Sequence, residues 1–278
     1  MASYLRPTEL SHALSALAAQ DLTVLAGATD YYPAQVGRRS DHDILDLSTI
    51  KDLSGITSTE DYWRIGAMTT WRDLMDAELP SCFDGLKAAA RQIGGMQIQN
   101  TATIAGNLCN ASPAADGVPP LLSLDARVEL ADRWGSRELA LADFIQGNRR
   151  TALEQGQLLT AILVPKALEA GRSGFIKLGA RSYLVISIVM VAGLVLLDAR
   201  GKVRRANLSV GACSEIAQRL PALEADLLGR TLSDLPVDLV GPAHFAHLSP
   251  LDDHRGTAAY RLDAAATLIK RLLGELRP

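Results

Sequence analysis

Apolar residues recur at helical and strand spacing from the start of the chain. Pro7 is followed by Leu10, Leu14 and Leu17, a three-to-four-residue period that predicts a short helix with Thr8 as its N-cap. The apolar run 22–26 predicts a strand that gives way to a loop, and 44–47 predicts the next strand. From Ile56 the pattern changes: 62–67 reads as a strand, Thr70 caps a helix reaching Leu79, and 85–93 reads as a second helix. A turn-rich segment, 103–116, comes next, and 116–124 reads as helical around its two prolines. Residues 127–131 and 138–141 predict an antiparallel pair joined through Trp134-Gly135-Ser136, and 158–164, closed by Pro165, predicts a further strand.

The polar, glycine-containing stretch 166–174 suits an exposed connection and marks a boundary. Beyond it, strands are expected around 175–177, 184–197 and 206–211, with helices near 216–228 and 260–276. The apolar stretch 184–197 is interrupted by Ser187 and Gly193 and is shorter than the roughly 18 to 20 residues that span a bilayer. It reads as a buried strand, and the polar turn 198–202 opens a hairpin into Val203. The expected fold class is α+β in three parts: a small N-terminal α/β lobe over 1–55, a larger α+β lobe over 56–165, and an antiparallel sheet backed by helices over 174–278.

Composition narrows the function classes. The chain has 278 residues and a formal net charge of −3, so it can bury a sizeable core and carries no basic field for nucleic acid. The basic doublets Arg38-Arg39, Arg149-Arg150 and Arg204-Arg205 read as solvated surface. Three cysteines, Cys82, Cys109 and Cys213, are odd in number and far apart, which excludes both a disulfide framework and a four-thiolate iron–sulfur cluster built from this chain alone. The N-terminus carries Arg6, Pro7 and Glu9 where a signal peptide would have its apolar core. No membrane association is expected, and the expected location is cytoplasmic.

Two segments carry the candidate chemistry. Thr103-Ile104-Ala105-Gly106-Asn107-Leu108-Cys109-Asn110-Ala111-Ser112-Pro113-Ala114-Ala115-Asp116 packs small residues, amides and hydroxyls together. Gly106 can take positive φ there and let backbone N–H groups approach an anion, with Thr103, Asn107 and Ser112 adding short hydrogen-bonding arms. Val24-Leu25-Ala26-Gly27-Ala28-Thr29-Asp30-Tyr31 repeats that chemistry at the end of a strand. Either segment alone fits an ordinary turn; the pair points to a large ligand with a diphosphate. Other candidates have plainer readings. Cys109 reads as a small buried hydrophobe rather than a covalent anchor for a ligand, and His244 and His247 have metal-like spacing but no third ligand nearby. His12, His42 and His254 show no partner, and Asp252, Asp253 and Arg255 form a charged turn with a structural reading.

Together the two segments resemble the A-G-G-T-D and T-I-G-G-N-x-x-N-A-S-P-A-A-D loops that hold FAD in the flavin subunits of xanthine dehydrogenase-type molybdenum hydroxylases, a group that includes the carbon monoxide dehydrogenase medium subunit. The likeness continues through Phe175-Ile176-Lys177-Leu178-Gly179-Ala180-Arg181, Gly211-Ala212, Pro250-Leu251-Asp252-Asp253-His254-Arg255-Gly256 and Tyr260-Arg261, and so covers nearly the whole chain. The resemblance implies a two-lobed FAD-binding fold of the PCMH type, with FAD held by residues of both segments: Val24, Leu25, Ala26, Gly27, Ala28, Thr29, Asp30 and Tyr31 in one, and Thr103, Ile104, Ala105, Gly106 and Asn107 in the other. Asp116 matches a position that contacts ribityl or ribose hydroxyls, and Leu159 one that meets the cofactor through its apolar side chain. Tyr31 and Tyr183 either stack near the isoalloxazine or pack in the core. Ala28 and Ala105 stand where the family pattern has glycine, a substitution costing about 1 kcal/mol wherever φ is positive.

An electron-transfer role follows from the resemblance, with no catalytic side chain of its own. The implied partners are a small subunit with two [2Fe–2S] clusters and a large molybdopterin subunit, assembled as a dimer of heterotrimers, together with an external electron acceptor. A free-standing FAD oxidoreductase and an assembly or scaffold subunit with a degenerate flavin site remain open alternatives.

Overall fold

A computed structural model describes residues 3–37 and 42–277. The Arg38-Arg39 doublet lies outside the described residues.

The first lobe is a three-stranded parallel sheet, order β1-β3-β2, made of β1 (Tyr4–Leu5), β2 (Thr23–Leu25) and β3 (Ile44–Asp46). The helix Leu10–Ala19 buries Ala13, Leu14 and Leu17 against Leu45, Leu47 and Ile50, as the spacing requires. Glu9, not Thr8, takes its N-cap position, with no side-chain cap bond: the first helical carbonyl to accept is that of Glu9, from the Ala13 N–H at 3.3 Å. Pairing of β2 with β3 stops at Leu25 opposite Asp46, which releases the chain into the loop that begins at Ala26.

The second lobe holds β4 (Ile56–Ser58), β5 (Tyr62–Gly66), β6 (Arg127–Asp132), β7 (Gly135–Ala140), the ribbon β8 (Ile145–Gly147) with β9 (Arg150–Thr151), and β10 (Leu158–Pro165). Five of these strands form an antiparallel sheet in the order β4-β5-β10-β6-β7. Thr70 caps the helix Trp71–Asp76 in a reciprocal box with Asp73, but the helix stops before Leu79, where Ala77 turns extended. The second expected helix is Asp84–Ala90, and Val118–Ser123 is helical behind Pro119 and Pro120.

The main departure from the sequence reading is at 103–116. That segment opens as a helix, Ile104–Asn110, with Thr103 as N-cap. The Thr103 hydroxyl accepts from the Gly106 N–H at 3.0 Å, and Ile104 and Leu108, one turn apart, are both fully buried. Gly106 is therefore helical rather than left-handed. The run of small polar residues hid a helix because its apolar face needs only two residues.

The third part is an antiparallel sheet in the order β11-β12-β13-β14, comprising β11 (Arg172–Leu178), β12 (Val189–Leu197), β13 (Val203–Gly211) and β14 (Gln218–Arg219). The strand expected from residue 184 starts only at Val189, where pairing with Leu178 begins; Leu184 has φ +52 and is exposed together with Ile186. Apolar composition alone cannot distinguish a paired residue from one in the crossing loop. Gly193 does not break β12: a Cβ there would sit 2.7 Å from Leu208 and 3.1 Å from Leu272, so the glycine lets the last helix, Ala258–Glu275, close onto the sheet. The helix expected over 216–228 is confined to Pro221–Leu227, because 218–219 pair with β13 and Pro221 opens the helix. The stretch 166–174 is less exposed than its polarity suggests, with Leu168 buried and Gly174 packed on Gly85.

Candidate cofactor site

A cavity of about 500 Å³ lies between the loop after β2 and the helix Ile104–Asn110. Leu47, Ala67, Trp71 and Leu159 give it an apolar lining. Leu159 sits beside a β-bulge, where the pairing of β10 with β6 shifts register between Leu159 and Ala161, and bulges re-aim side chains in this way.

The loop supplies the polar side. Among the described residues, none of the N–H groups of Gly27, Ala28, Thr29 or Asp30 donates to the protein, although the Ala28 and Asp30 carbonyls accept from Tyr32 and Ala34. Ala28 is left-handed, φ +55, and Asp30, two residues on, is right-handed, so the backbone turns sharply through this loop. A Cβ on Gly27 would lie 2.0 Å from the Thr101 carbonyl oxygen, so this loop touches backbone just before the second segment, and only glycine allows it.

Across the cavity, several groups are already committed. The Ile104 N–H donates to Thr69 at 3.1 Å and the Gly106 N–H to the Thr103 hydroxyl, which leaves the Ala105 N–H as the amide of that turn not taken by either. The Asn107 side-chain oxygen accepts from the Gly117 N–H at 3.3 Å, tying the helix to the chain that returns behind it.

The structure brings together Val24, Leu25, Ala26, Gly27, Ala28, Thr29, Asp30, Tyr31, Thr103, Ala105, Gly106, Asn107 and Leu159 around one cavity. It does not place Ile104, Ser112 or Asp116 on that lining. The Ile104 side chain is in the core and Ser112 caps Ala114 at 3.3 Å. Asp116 is buried in an ion pair with Lys177, 2.6 Å away, and accepts from the Ser187 hydroxyl at 2.5 Å. Burial pushes its carboxyl above the usual range, against the pull of Lys177 and Ser187. The two alanines at family glycine positions differ in kind, since Ala28 is left-handed and Ala105 is helical.

The remaining candidates separate cleanly. Cys109 lines the cavity as an exposed free thiol rather than a buried one. All three cysteines are free. His244 bonds Asp226 and the Gly241 turn, and His247 bonds the Arg219 carbonyl at 2.9 Å, so the two rings serve separate structural contacts. No cluster of metal-ligating residues exists among the described residues. Tyr31 lines the cavity and meets Tyr32 edge to face at 5.3 Å, whereas Tyr183 lines a separate hollow with Arg72 and Arg91. No helix among the described residues is long and apolar enough to cross a membrane.

One residue at the site escaped the sequence reading. Arg149, at the tip of the β8–β9 ribbon, reaches the Asp30 carboxylate at 2.7 Å and also bonds the Asn110 side chain. Its partner is 119 positions away, and nothing local distinguishes it from a solvated basic doublet.

Comparison with known proteins matches this geometry to a family. Residues 1–167 match the FAD binding domain in molybdopterin dehydrogenase, and residues 175–276 match the CO dehydrogenase flavoprotein C-terminal domain. The chain is 29% identical to the glyceraldehyde dehydrogenase medium chain of Sulfolobus acidocaldarius, over 99% of this chain and 98% of that one. It is 31% identical to the carbon monoxide dehydrogenase medium chain of Afipia carboxidovorans, over 96% and 94% of the two. The reconstituted CO dehydrogenase from Oligotropha carboxidovorans contains a chain that superposes with a TM-score of 0.88 at 28% identity, covering 99% of this chain and 97% of that one. The chain thus belongs to the FAD-binding medium subunits of the xanthine dehydrogenase and carbon monoxide dehydrogenase family of molybdenum hydroxylases, and is the flavoprotein subunit of an oxidoreductase.

Proposed function

We propose that the cavity holds FAD and that the chain passes electrons from iron–sulfur clusters on a partner subunit to an external acceptor. The observation that carries this reading is the run of four amides, Gly27 to Asp30, that donate to no other described residue and whose residues line, with Ala105, a largely apolar cavity. Undonated backbone N–H groups are stabilised by an anion, and a diphosphate supplies two linked ones. The cofactor supplies the redox chemistry. The protein's own residues bind and orient: Val24 to Tyr31 on one side, Thr103, Ala105, Gly106 and Asn107 on the other with the Ile104 side chain anchoring their helix in the core, and Leu159, Trp71 and Leu47 excluding water from the apolar part. Asp116 keeps a place in this reading as an acceptor for ribityl or ribose hydroxyls, because a carboxylate offers about four lone-pair sites and Lys177 and Ser187 occupy two.

In the same reading the partners are an iron–sulfur small subunit and a molybdopterin large subunit in a dimer of heterotrimers, and the complex is cytoplasmic. The division into 1–55, 56–165 and 174–278 is supported by the three main sheets, the first two of which fall within those ranges while the third begins at Arg172, two residues before its range.

The absorption spectrum of the purified chain, followed by chromatography of any cofactor released on denaturation, tests the proposal. Oxidised-flavin bands and about one equivalent of FAD are expected. A colourless chain that also fails to take up added FAD would sink the electron-transfer reading and leave the scaffold alternative. Gly27→Ala should lose most of its flavin, since its new methyl meets the Thr101 carbonyl.

A further inference from the structure

The geometry points to Arg149 as the clasp of the FAD pocket: its guanidinium ties Asp30, on the first-lobe loop, to Asn110, at the end of the second-lobe helix, and the tie slows cofactor escape. Asp30 and Asn110 both line the cavity, on opposite sides, and Arg149 spans them from a third element that is not part of the lining. The inference rests on the reading of this cavity as the FAD site.

Arg149 is held in place for this contact. Its N–H donates to the Ala111 carbonyl at 2.9 Å, and the neighbouring Asn148 N–H donates to Glu215 of the third part at 3.0 Å. Gly147, just before it, lies so close to Glu215 that a Cβ would come within 2.8 Å of the carboxylate. Arg149 itself sits at φ +58, a conformation unfavourable for an arginine, which the ribbon turn imposes as it aims the side chain across the mouth.

The clasp is not a stability device. The Arg149 and Asp30 side chains remain 55% and 61% exposed, and exposed ion pairs add little to folding. Its effect belongs to motion. Opening the cavity requires the loop at 27–30 to move away from the helix, and the ion pair is the side-chain link joining Asp30 to Arg149 and Asn110 across that gap. Asp30 thereby divides its work, with the carboxylate held by Arg149 and the backbone amide left free for the ligand.

The test is the rate of FAD release from the purified full chain, followed by recovery of flavin fluorescence after dilution into excess non-fluorescent competitor. Arg149→Met and Asp30→Asn are each expected to speed release about fivefold, as loss of one ion pair at a moving gate would, and the exchanged pair Asp30→Arg with Arg149→Asp should recover most of the wild-type rate. Raising ionic strength should narrow the difference between wild type and the Arg149→Met variant, because the pair is exposed to screening. Release rates for Arg149→Met and Asp30→Asn equal to wild type overturn the clasp. So does fast release in Arg149→Met with a normal rate in Asp30→Asn, which would make Arg149 a direct cofactor contact. A wild-type chain that binds no FAD fails the reading beneath it instead, so the two failures are distinct.

Discussion

At the scale of single residues, Ala28 and Ala105 show why a family position has to be read with its φ angle. Ala28 is left-handed at φ +55, where a side chain is strained, so Ala28→Gly should stabilise the chain by about 1 kcal/mol. Ala105 is helical, and Ala105→Gly should cost about 1 kcal/mol by removing a good helix former. Urea denaturation of the flavin-free chain checks both, and equal shifts of the same sign would refute the assignment of φ. The sequence showed two alanines where the family has glycine, but only the backbone separates the tolerated one from the strained one.

Among elements, the helix Ile104–Asn110 depends on its cap. Thr103 is buried and its hydroxyl holds the Gly106 amide, so Thr103→Ala should destabilise the chain by about 1 kcal/mol and loosen the cavity wall, while Thr103→Ser should restore most of both. Thermal unfolding and flavin retention read the two effects. The turn at 252–255 is likewise tied to an element, because Asp253 accepts from the Arg255 N–H at 2.8 Å and from Arg261, on the last helix, at 2.7 Å. These bonds hold its carboxyl at about 2, below the ordinary 3.8. A carboxylate with a lowered folded-state value stabilises the chain above its unfolded value, and that contribution fades as pH falls from about 4 towards 2. Wild type should therefore lose stability over that window more steeply than Asp253→Asn, as acid titration of the unfolding midpoint will show. The structural reading of this charged turn was available from its charge pattern. The helix at 104–110 was not, because capping and a two-residue apolar face leave little periodicity in a glycine- and asparagine-containing run.

For the molecule as a whole, the lobes are joined by polar networks that no local pattern announces. Arg219, on β14, bonds Asp125 at 2.6 Å, Asn207 at 2.7 Å, and Glu224, linking the second lobe to the third sheet. Arg219→Met should destabilise by about 2 kcal/mol, since removing the cation leaves two half-buried carboxylates without it, and the loss should exceed that of Arg205→Met, whose side chain is more exposed. Denaturant midpoints for both variants decide this. The buried pair of Asp116 and Lys177 joins the same two parts of the chain and likewise spans dozens of residues in sequence.

The sequence by itself determined most of the strands and helices and marked two segments that come to line one cavity, because alternating and helical apolar periods and paired small-residue motifs are local properties of the chain. It also marked the residues of the first loop, since the end of a parallel strand followed by glycine, hydroxyl and carboxylate is a local signal. Tertiary structure decided which of those residues line the cavity. The choice between loop and helix at 104–110, the exposure of 184–186, the strain at Ala28, the withdrawal of Asp116 into an ion pair and the reach of Arg149 to Asp30 each depend on partners brought close by folding. Contacts between residues far apart in sequence are set by packing of whole lobes, and a reading confined to neighbours along the chain has no access to them.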